Sequence, residues 1–250
     1  MEIFGIAFSK GSLGKNLGCE KMPAAVSKSI KMISCFQDNI GQTNSSIFDS
    51  LKNVKKALII GGDHSITYSC FNAFAFNNLN SGIIVFDAHP DLQSNFKPPT
   101  HEDYLRVLIE DGKLDASKIV LIGLRNISKE EQDYLNLKKI VYFDIRKIIE
   151  LGVEDVCTLI MERAIEWNAL YLSIDIDVCD PSFAPGTGYI EPGGISSADL
   201  LYFISRIKRM KNLKFVDIVE GNPDKDINKL TTSLIVRLAK EFNNEIVYSN

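Results

Sequence analysis

GIIVFDAHPDLQ, residues 82–93, begins as a buried β-strand and ends with three ionisable side chains, Asp87, His89 and Asp91, at every second position. An unbroken apolar run of this kind suits a strand covered on both faces, as in a parallel sheet. Residues i, i+2 and i+4 share one side of a strand, so the three polar side chains converge if the extended backbone persists past Asp87. Pro90 works against strict extension, and at a strand end it also removes an N–H that would need a partner.

The same kind of ending recurs along the chain. ALII (57–60) leads into GGDHS (61–65), ALYLS (169–173) into IDIDVCDP (174–181), and KFVDIV (214–219) into EGNP (220–223). Further apolar runs stand at EIFGIAF (2–8), KIVLIGL (118–124) and KIVYFD (139–144), and helical periodicity marks residues 24–36, 102–111, 154–167, 197–210 and 229–242. This alternation predicts an α/β fold, a three-layer α/β/α sandwich with a mainly parallel sheet. A chain of 250 residues, 45% hydrophobic, can bury such a core, and no repeat or linker divides it. A single catalytic domain over residues 1–250 is therefore expected. In open parallel sheets ligands bind in the crevice outside the carboxyl ends of the strands, where this sequence collects its unusual polar residues.

The net charge of −4 and a pI near 5.5, with no Lys/Arg-rich block, argue against nucleic acid and anionic membranes as partners. Five scattered cysteines never spaced as CxxC fit neither a disulfide framework nor a thiolate zinc site, so a reducing cytoplasm is the expected compartment. The N-terminus MEIFGIAFSKG lacks a basic leader, and no apolar stretch approaches the roughly 18 residues that span a bilayer. Gly11, Gly14 and Gly18 match neither a Rossmann fingerprint nor a P-loop and read as a flexible loop. Cys179, inside DVCDP, has no histidine to activate it and reads as a small packing residue.

The chain has three histidines, His64, His89 and His101; two lie in these strand-end motifs and the third follows Asp91 by ten residues. An isolated D-x-D reads as turn capping. Beside GGDHS and DAHPD, the pair Asp175 and Asp177 reads differently: carboxylates gathered in one crevice repel one another unless a cation neutralises them. His64, Asp87, His89, Asp91, Asp175 and Asp177 supply four negative charges and two neutral imidazoles, which balances two divalent cations. Oxygen-rich ligation with some nitrogen suits Mn²⁺, with zinc, iron and cobalt as alternatives.

These motifs resemble the ureohydrolases, the family of arginase, agmatinase, guanidinobutyrase and formimidoylglutamase. The resemblance runs from GGDHS through DAHPD and SIDIDVCDPSFAPGTGYIEPGG to DIVEGNP, roughly residues 56–240, and continues more weakly to the N-terminus. It implies the arginase/deacetylase-like form of the α/β/α sandwich and a binuclear manganese centre on those six residues. It also implies a proton-shuttling histidine at His101, a guanidinium-binding glutamate at Glu220, and an Asp91 that both binds metal and accepts a hydrogen bond from the nucleophile. The implied reaction is hydrolysis of a guanidino compound to urea and an amine, in a cytoplasmic homo-oligomer, trimer or hexamer.

APGTG, EPGG and GLRNISKEE are most similar to the agmatinase branch, which implies agmatine as substrate, putrescine as product and a place in polyamine metabolism. Arginase, guanidinobutyrase and formimidoylglutamase activities are the alternatives, as is an inactive regulatory member. Ser128 stands where arginases carry an aspartate that reads the α-amino group. Glycine normally follows the shuttle histidine, whereas Glu102 does so here, either bringing negative charge to the pocket mouth or opening the next helix. A deacetylase-like single-metal amidohydrolase shares the D-x-H motif, but the extra carboxylates Asp91 and Asp175 favour two metals.

Overall fold

The computed structural model describes residues 1–244 and 246. Its strands are β1 (Glu2–Ile6), β2 (Lys31–Ile33), β3 (Ala57–Ile60), β4 (Ser81–Phe86), β5 (Ile119–Leu124), β6 (Val141–Asp144), β7 (Ala169–Asp175) and β8 (Leu213–Val219). They form one sheet in the order β2-β1-β3-β8-β7-β4-β5-β6, with every pair parallel. The helices are α1 (Met22–Val26), α2 (Ile40–Leu51), α3 (Ile66–Phe76), α4 (Tyr104–Glu110), α5 (Lys129–Lys138), α6 (Ile145–Leu151), α7 (Val153–Ala164), α8 (Ser197–Ile207) and α9 (Leu230–Phe242).

The strand alternation splits the core into two layers. Leu58 and Ile60, Ile84 and Phe86, Leu170 and Leu172, and Val216 and Ile218 pack with residues of α1 and α6 to α9. Their neighbours Ala57 and Ile59, Ile83 and Val85, Tyr171 and Phe215 pack with residues of α2 to α5. Helices thus cover both faces, and the expected three-layer α/β/α sandwich is observed, with a sheet that is wholly parallel among the described residues. Among the described residues no helix is long and apolar enough to cross a membrane.

Two local readings are corrected. Residues 24–36 do not form one helix: α1 stops at Val26, Ser27 turns to extended geometry while its hydroxyl accepts the Ser29 N–H, and β2 pairs with β1 through Phe4–Lys31 and Ile6–Ile33. Val26, Ile30 and Ile33 have helical spacing, but pairing with the open edge of β1 outweighs that pattern. Nor does extension persist past β4. The strand ends at Phe86, and Asp91 has φ 54°, so Asp87, His89 and Asp91 are brought together by a folded loop.

The four contiguous strands β3, β8, β7 and β4 all present their carboxyl ends on one edge, because every strand is parallel. The turn after β3 is tightly built. The Asp63 N–H donates to the Phe8 carbonyl at 2.9 Å, and the Gly62 carbonyl accepts the Glu220 N–H at 2.8 Å. A Cβ on Gly62 would overlap the Phe8 carbonyl group. Gly62→Ala is expected to lower the unfolding free energy by about 1–3 kcal/mol, as over-packing against fixed backbone does; an unchanged urea-denaturation midpoint would contradict this.

Candidate metal and substrate site

His64 is fixed from both sides. Its backbone N–H donates to Glu220 Oε1 at 2.7 Å. Its Nε2 lies 2.9 Å from Ser173 Oγ and 3.0 Å from the Tyr104 hydroxyl. Ser173 donates its own proton to Asp217 Oδ1 at 2.6 Å, and Tyr171 and Thr67 donate to Asp217 Oδ2 at 2.6 and 2.7 Å. With the serine proton given to Asp217, Nε2–H is the donor toward Ser173, so in the neutral imidazole that a cation would bind the lone pair is on Nδ1. That Nδ1 is buried, without a hydrogen-bond partner, 3.1 Å from Asp87 Oδ2, 3.0 Å from Asp91 Oδ2 and 3.3 Å from Asp175 Oδ2. A lone pair facing three carboxylate oxygens is the environment a cation occupies.

On the other side of Asp87, His89 Nδ1 lies 3.4 Å from Asp87 Oδ1 and 3.1 Å from Asp177 Oδ2. Two groups able to hold a metal result, His64/Asp87/Asp175 and Asp87/His89/Asp177, each with donor atoms within 4.8 Å of one another. Asp87 belongs to both, which suits adjacent cations sharing a bridging carboxylate. The electrostatics fit the same reading. Burial, then the charge of Asp87, pushes Asp91 up to about 7, and burial with Asp177 and Asp87 pushes Asp175 well above the carboxylate range. Burial also acts on Asp87, but His64 and His89, both raised and protonated when no cation is bound, outweigh it and hold it low. Carboxylates forced apart in this way cannot all ionise unaided, whereas two dications would ionise them together.

Glu220 borders this cluster. Its backbone is left-handed, φ 63°, at the end of β8. Asn16 Nδ2 holds it by donating to the Glu220 carbonyl at 2.9 Å and to Oε2 at 2.5 Å. His101 Nδ1 lies 3.2 Å from Glu220 Oε1, and the His101 N–H donates to the Gly11 carbonyl at 3.0 Å. Burial alone would raise the Glu220 pKa, but His101, the His64 N–H and Asn16 lower it below the usual range. Burial depresses His101, yet Glu220 prevails and raises it to about 9. His101 Nε2 is buried with no hydrogen-bond partner.

His64, His89, Asp91, Asp175, Asp177, His101 and Glu220 line a cavity of about 180 Å³, whose wall also includes Gln93, Glu102, Asn126, Ser128 and Tyr189. Among the described residues no Lys or Arg lines it. The nearby Arg125 guanidinium is turned into backbone, donating to the carbonyls of Asp177 at 2.5 Å and Glu191 at 2.7 Å, which pins the segment after β7.

All six ligand candidates, together with His101 and Glu220, therefore meet at one site. Glu102 does not open α4, whose N-cap is Asp103; it lines the cavity and accepts the Tyr189 hydroxyl at 2.7 Å. Ser128 caps α5 in a capping box with Glu131 and also reaches the cavity. Cys179 is buried, and burial pushes its thiol up to about 12, in keeping with a packing role. The glycine-rich segment near residues 11–18 is not a loose loop. It forms short 3₁₀ turns that deliver Asn16 and the Gly11 carbonyl to Glu220 and His101. Asn16, Tyr104, Ser173, Tyr189 and Asp217 were not legible as site residues. Ser173, Tyr189 and Asp217 lie within the motifs quoted above, which is the signal that could have found them, whereas Asn16 and Tyr104 stand in none; each acts through a partner distant in sequence.

A wholly parallel sheet between helical layers, with a carboxylate–imidazole cluster at its carboxyl edge, defines an α/β protein of the arginase type. The sequence profile of the Arginase family matches residues 10–243. Arginase from Staphylococcus aureus (strain COL) is 30% identical over 218 residues, 80% of this chain and 71% of that protein. The chain belongs to the arginase family. Solved structures share its fold: formimidoylglutamase from Bacillus subtilis at TM-score 0.89 and 22% identity, covering 99% of this chain and 87% of that one, and the agmatine ureohydrolase of Thermoplasma volcanium at TM-score 0.83 and 22% identity, covering 96% and 87%.

The His101–Glu220 pair has a pH signature. The His101 pKa rises on folding from 6.5 to about 9, so the pair contributes its full stability below about pH 6.5 and loses it as pH climbs through about 9. In chelator-treated protein, the difference in thermal stability between wild type and His101→Asn is expected to shrink from pH 6.5 to pH 10. A difference that stays constant or grows would refute the ion pair.

Proposed function

We propose that this chain is a binuclear-metal ureohydrolase that cleaves a guanidino compound with a cationic tail, agmatine above all, to urea and an amine, here putrescine. The carrying observation is the cavity itself: two carboxylate–imidazole groups sharing Asp87 at its base, Glu220 and His101 beside them, and, among the described residues, no Lys or Arg on its wall. His64, Asp87, His89, Asp91, Asp175 and Asp177 are the proposed ligands, with Mn²⁺ preferred for an oxygen-rich set. When bound, a metal pair supplies Lewis acidity and a water-derived nucleophile at neutral pH.

The chain's own groups do the rest. Glu220, kept ionised by its donors, binds the planar guanidinium through charge-assisted hydrogen bonds and fixes the angle of attack. Asp91 accepts a hydrogen bond that orients the attacking water. His101, protonated at neutral pH, gives the proton at Nε2 to the departing amine nitrogen as the carbon–nitrogen bond breaks, and Glu220 stabilises its charge. The absence of Lys and Arg from the wall disfavours tails bearing a carboxylate, as in guanidinobutyrate, formimidoylglutamate and, at its α-carbon, arginine. The intact second group, Asp87/His89/Asp177, favours two metals over a single-metal deacetylase-like site and weighs against an inactive regulatory relative. The reading includes one domain spanning the chain, a cytoplasmic setting, with which five free cysteines agree, and assembly as a trimer or hexamer.

Mn²⁺-loaded protein is expected to release urea from agmatine faster than from arginine or guanidinobutyrate, and to release no formamide from formimidoylglutamate; absence of urea from every guanidine would overturn the reading. Asp87→Ala should lose both equivalents of bound metal and Asp177→Ala one, measured by elemental analysis after dialysis. Glu220→Gln should keep the metal and lose about 10²-fold in kcat/KM, the scale of a lost buried charge pair.

A further inference from the structure

The proposed reaction uses the cavity floor but leaves Glu102 without a task. Its Oε1 accepts the Tyr189 hydroxyl at 2.7 Å and lies 3.8 Å from His101 Nε2. The Tyr189 ring lies parallel to the His101 imidazole, centroids 5.8 Å apart and planes 14° from coplanar, so one aromatic ring positions both groups. The second Glu102 oxygen has no partner among the described residues, and no Lys or Arg neutralises the carboxylate. Other carboxylates nearby are occupied: Glu131 accepts the N–H groups of Leu92 and Ser128, and Glu130 pairs with Arg106. Glu102 is one-third exposed, so an ion pair formed there is partly shielded from water but keeps access to it.

The placement suits a bifunctional cation. Glu220 faces the Nδ1 edge of His101 and Glu102 the Nε2 edge, at 3.2 and 3.8 Å, so an imidazole separates an inner carboxylate from an outer one. A molecule with its guanidinium on Glu220 and its tail running past the His101 ring would meet Glu102 at its other end. We propose that Glu102, held by Tyr189, is a specificity-determining residue that takes the protonated primary amine at the far end of the substrate. This rests on the ureohydrolase reading above and adds to it the group that selects the tail. The amine remains protonated throughout, and no bond to it forms or breaks.

The test compares wild type with Glu102→Gln, whose amide oxygen still accepts the Tyr189 hydroxyl and whose fold is checked by its melting temperature. Urea release is measured with agmatine and with 1-butylguanidine, which has the same chain length and a neutral end. The loss in kcat/KM for agmatine is expected to exceed that for 1-butylguanidine by about tenfold and to lie mainly in KM, the size of a half-exposed charge-assisted pair. Losses by the same factor for both would assign Glu102 to positioning His101 and overturn the proposal, as would no loss for either. Calorimetry with butane-1,4-diamine provides a second arm, with about tenfold weaker binding expected for the variant. If wild type releases urea from neither guanidine yet binds the diamine through Glu102, the hydrolase reading fails while the amine subsite stands. Diamine binding that is absent, or equal in both proteins, overturns the subsite.

Discussion

Four carboxylates buried against two imidazoles are the constraint around which this molecule is organised. Each pair of unit charges about 4 Å apart interacts by about 4 kcal/mol at the effective dielectric of a protein surface, so several such repulsions rival the 5–15 kcal/mol that stabilises a typical fold. The chain does not relieve them with lysine or arginine. The nearby Arg125 guanidinium is directed into backbone carbonyls, where it orders the segment carrying Asp177. On the proposed reading compensation is left to a cation pair, with His64 Nδ1 aimed where one cation would sit.

The sheet makes this concentration of charge feasible. Because every strand is parallel, the loops after β3, β8, β7 and β4 leave the same edge side by side, although they lie far apart in sequence. A second layer of polar contacts then sets direction. Asp217, inward on β8, collects Tyr171, Thr67 and Ser173, and through Ser173 it holds His64 in one orientation. Left-handed backbone at Asp91 and Glu220 turns both carboxylates into the cluster; for Glu220 the backbone bonds to Gly62 and Asn16 hold that sparsely populated conformation.

Much of this was readable from residue order. Apolar runs marked the inner strands because burial on both faces leaves no polar positions within them, and the six clustered Asp and His residues were conspicuous because such side chains seldom follow a buried strand in company. Edge strand β2 was not readable: it is three residues long, half exposed, and preceded by apolar residues at helical spacing. Asn16 and Tyr189 escaped for a different reason. Neither type is unusual in a glycine-rich loop, and their roles exist only once residues about 200 and 87 positions away are brought beside them. Long-range polar contacts leave no periodic trace in a sequence, whereas burial does.

Floor and mouth of the cavity handle charge in different ways, and the proposed selectivity rests on the difference. At the floor, burial and mutual repulsion push Asp91 and Asp175 up, while Glu220 is left ionised by donors that reach it from His101, His64 and Asn16. At the mouth Glu102 is oriented by the neutral Tyr189 phenol, lies 3.8 Å from the His101 imidazole and, among the described residues, meets no lysine or arginine. On the proposed reading a cationic tail meets Glu102 at the mouth, while a carboxylate-tailed molecule of similar size would have to desolvate its anion beside Glu102 with no lysine or arginine among the described residues to receive it. Rejection by desolvation needs no clash and no close fit, so a cavity of this kind can discriminate by tail charge even where tail length is loosely constrained.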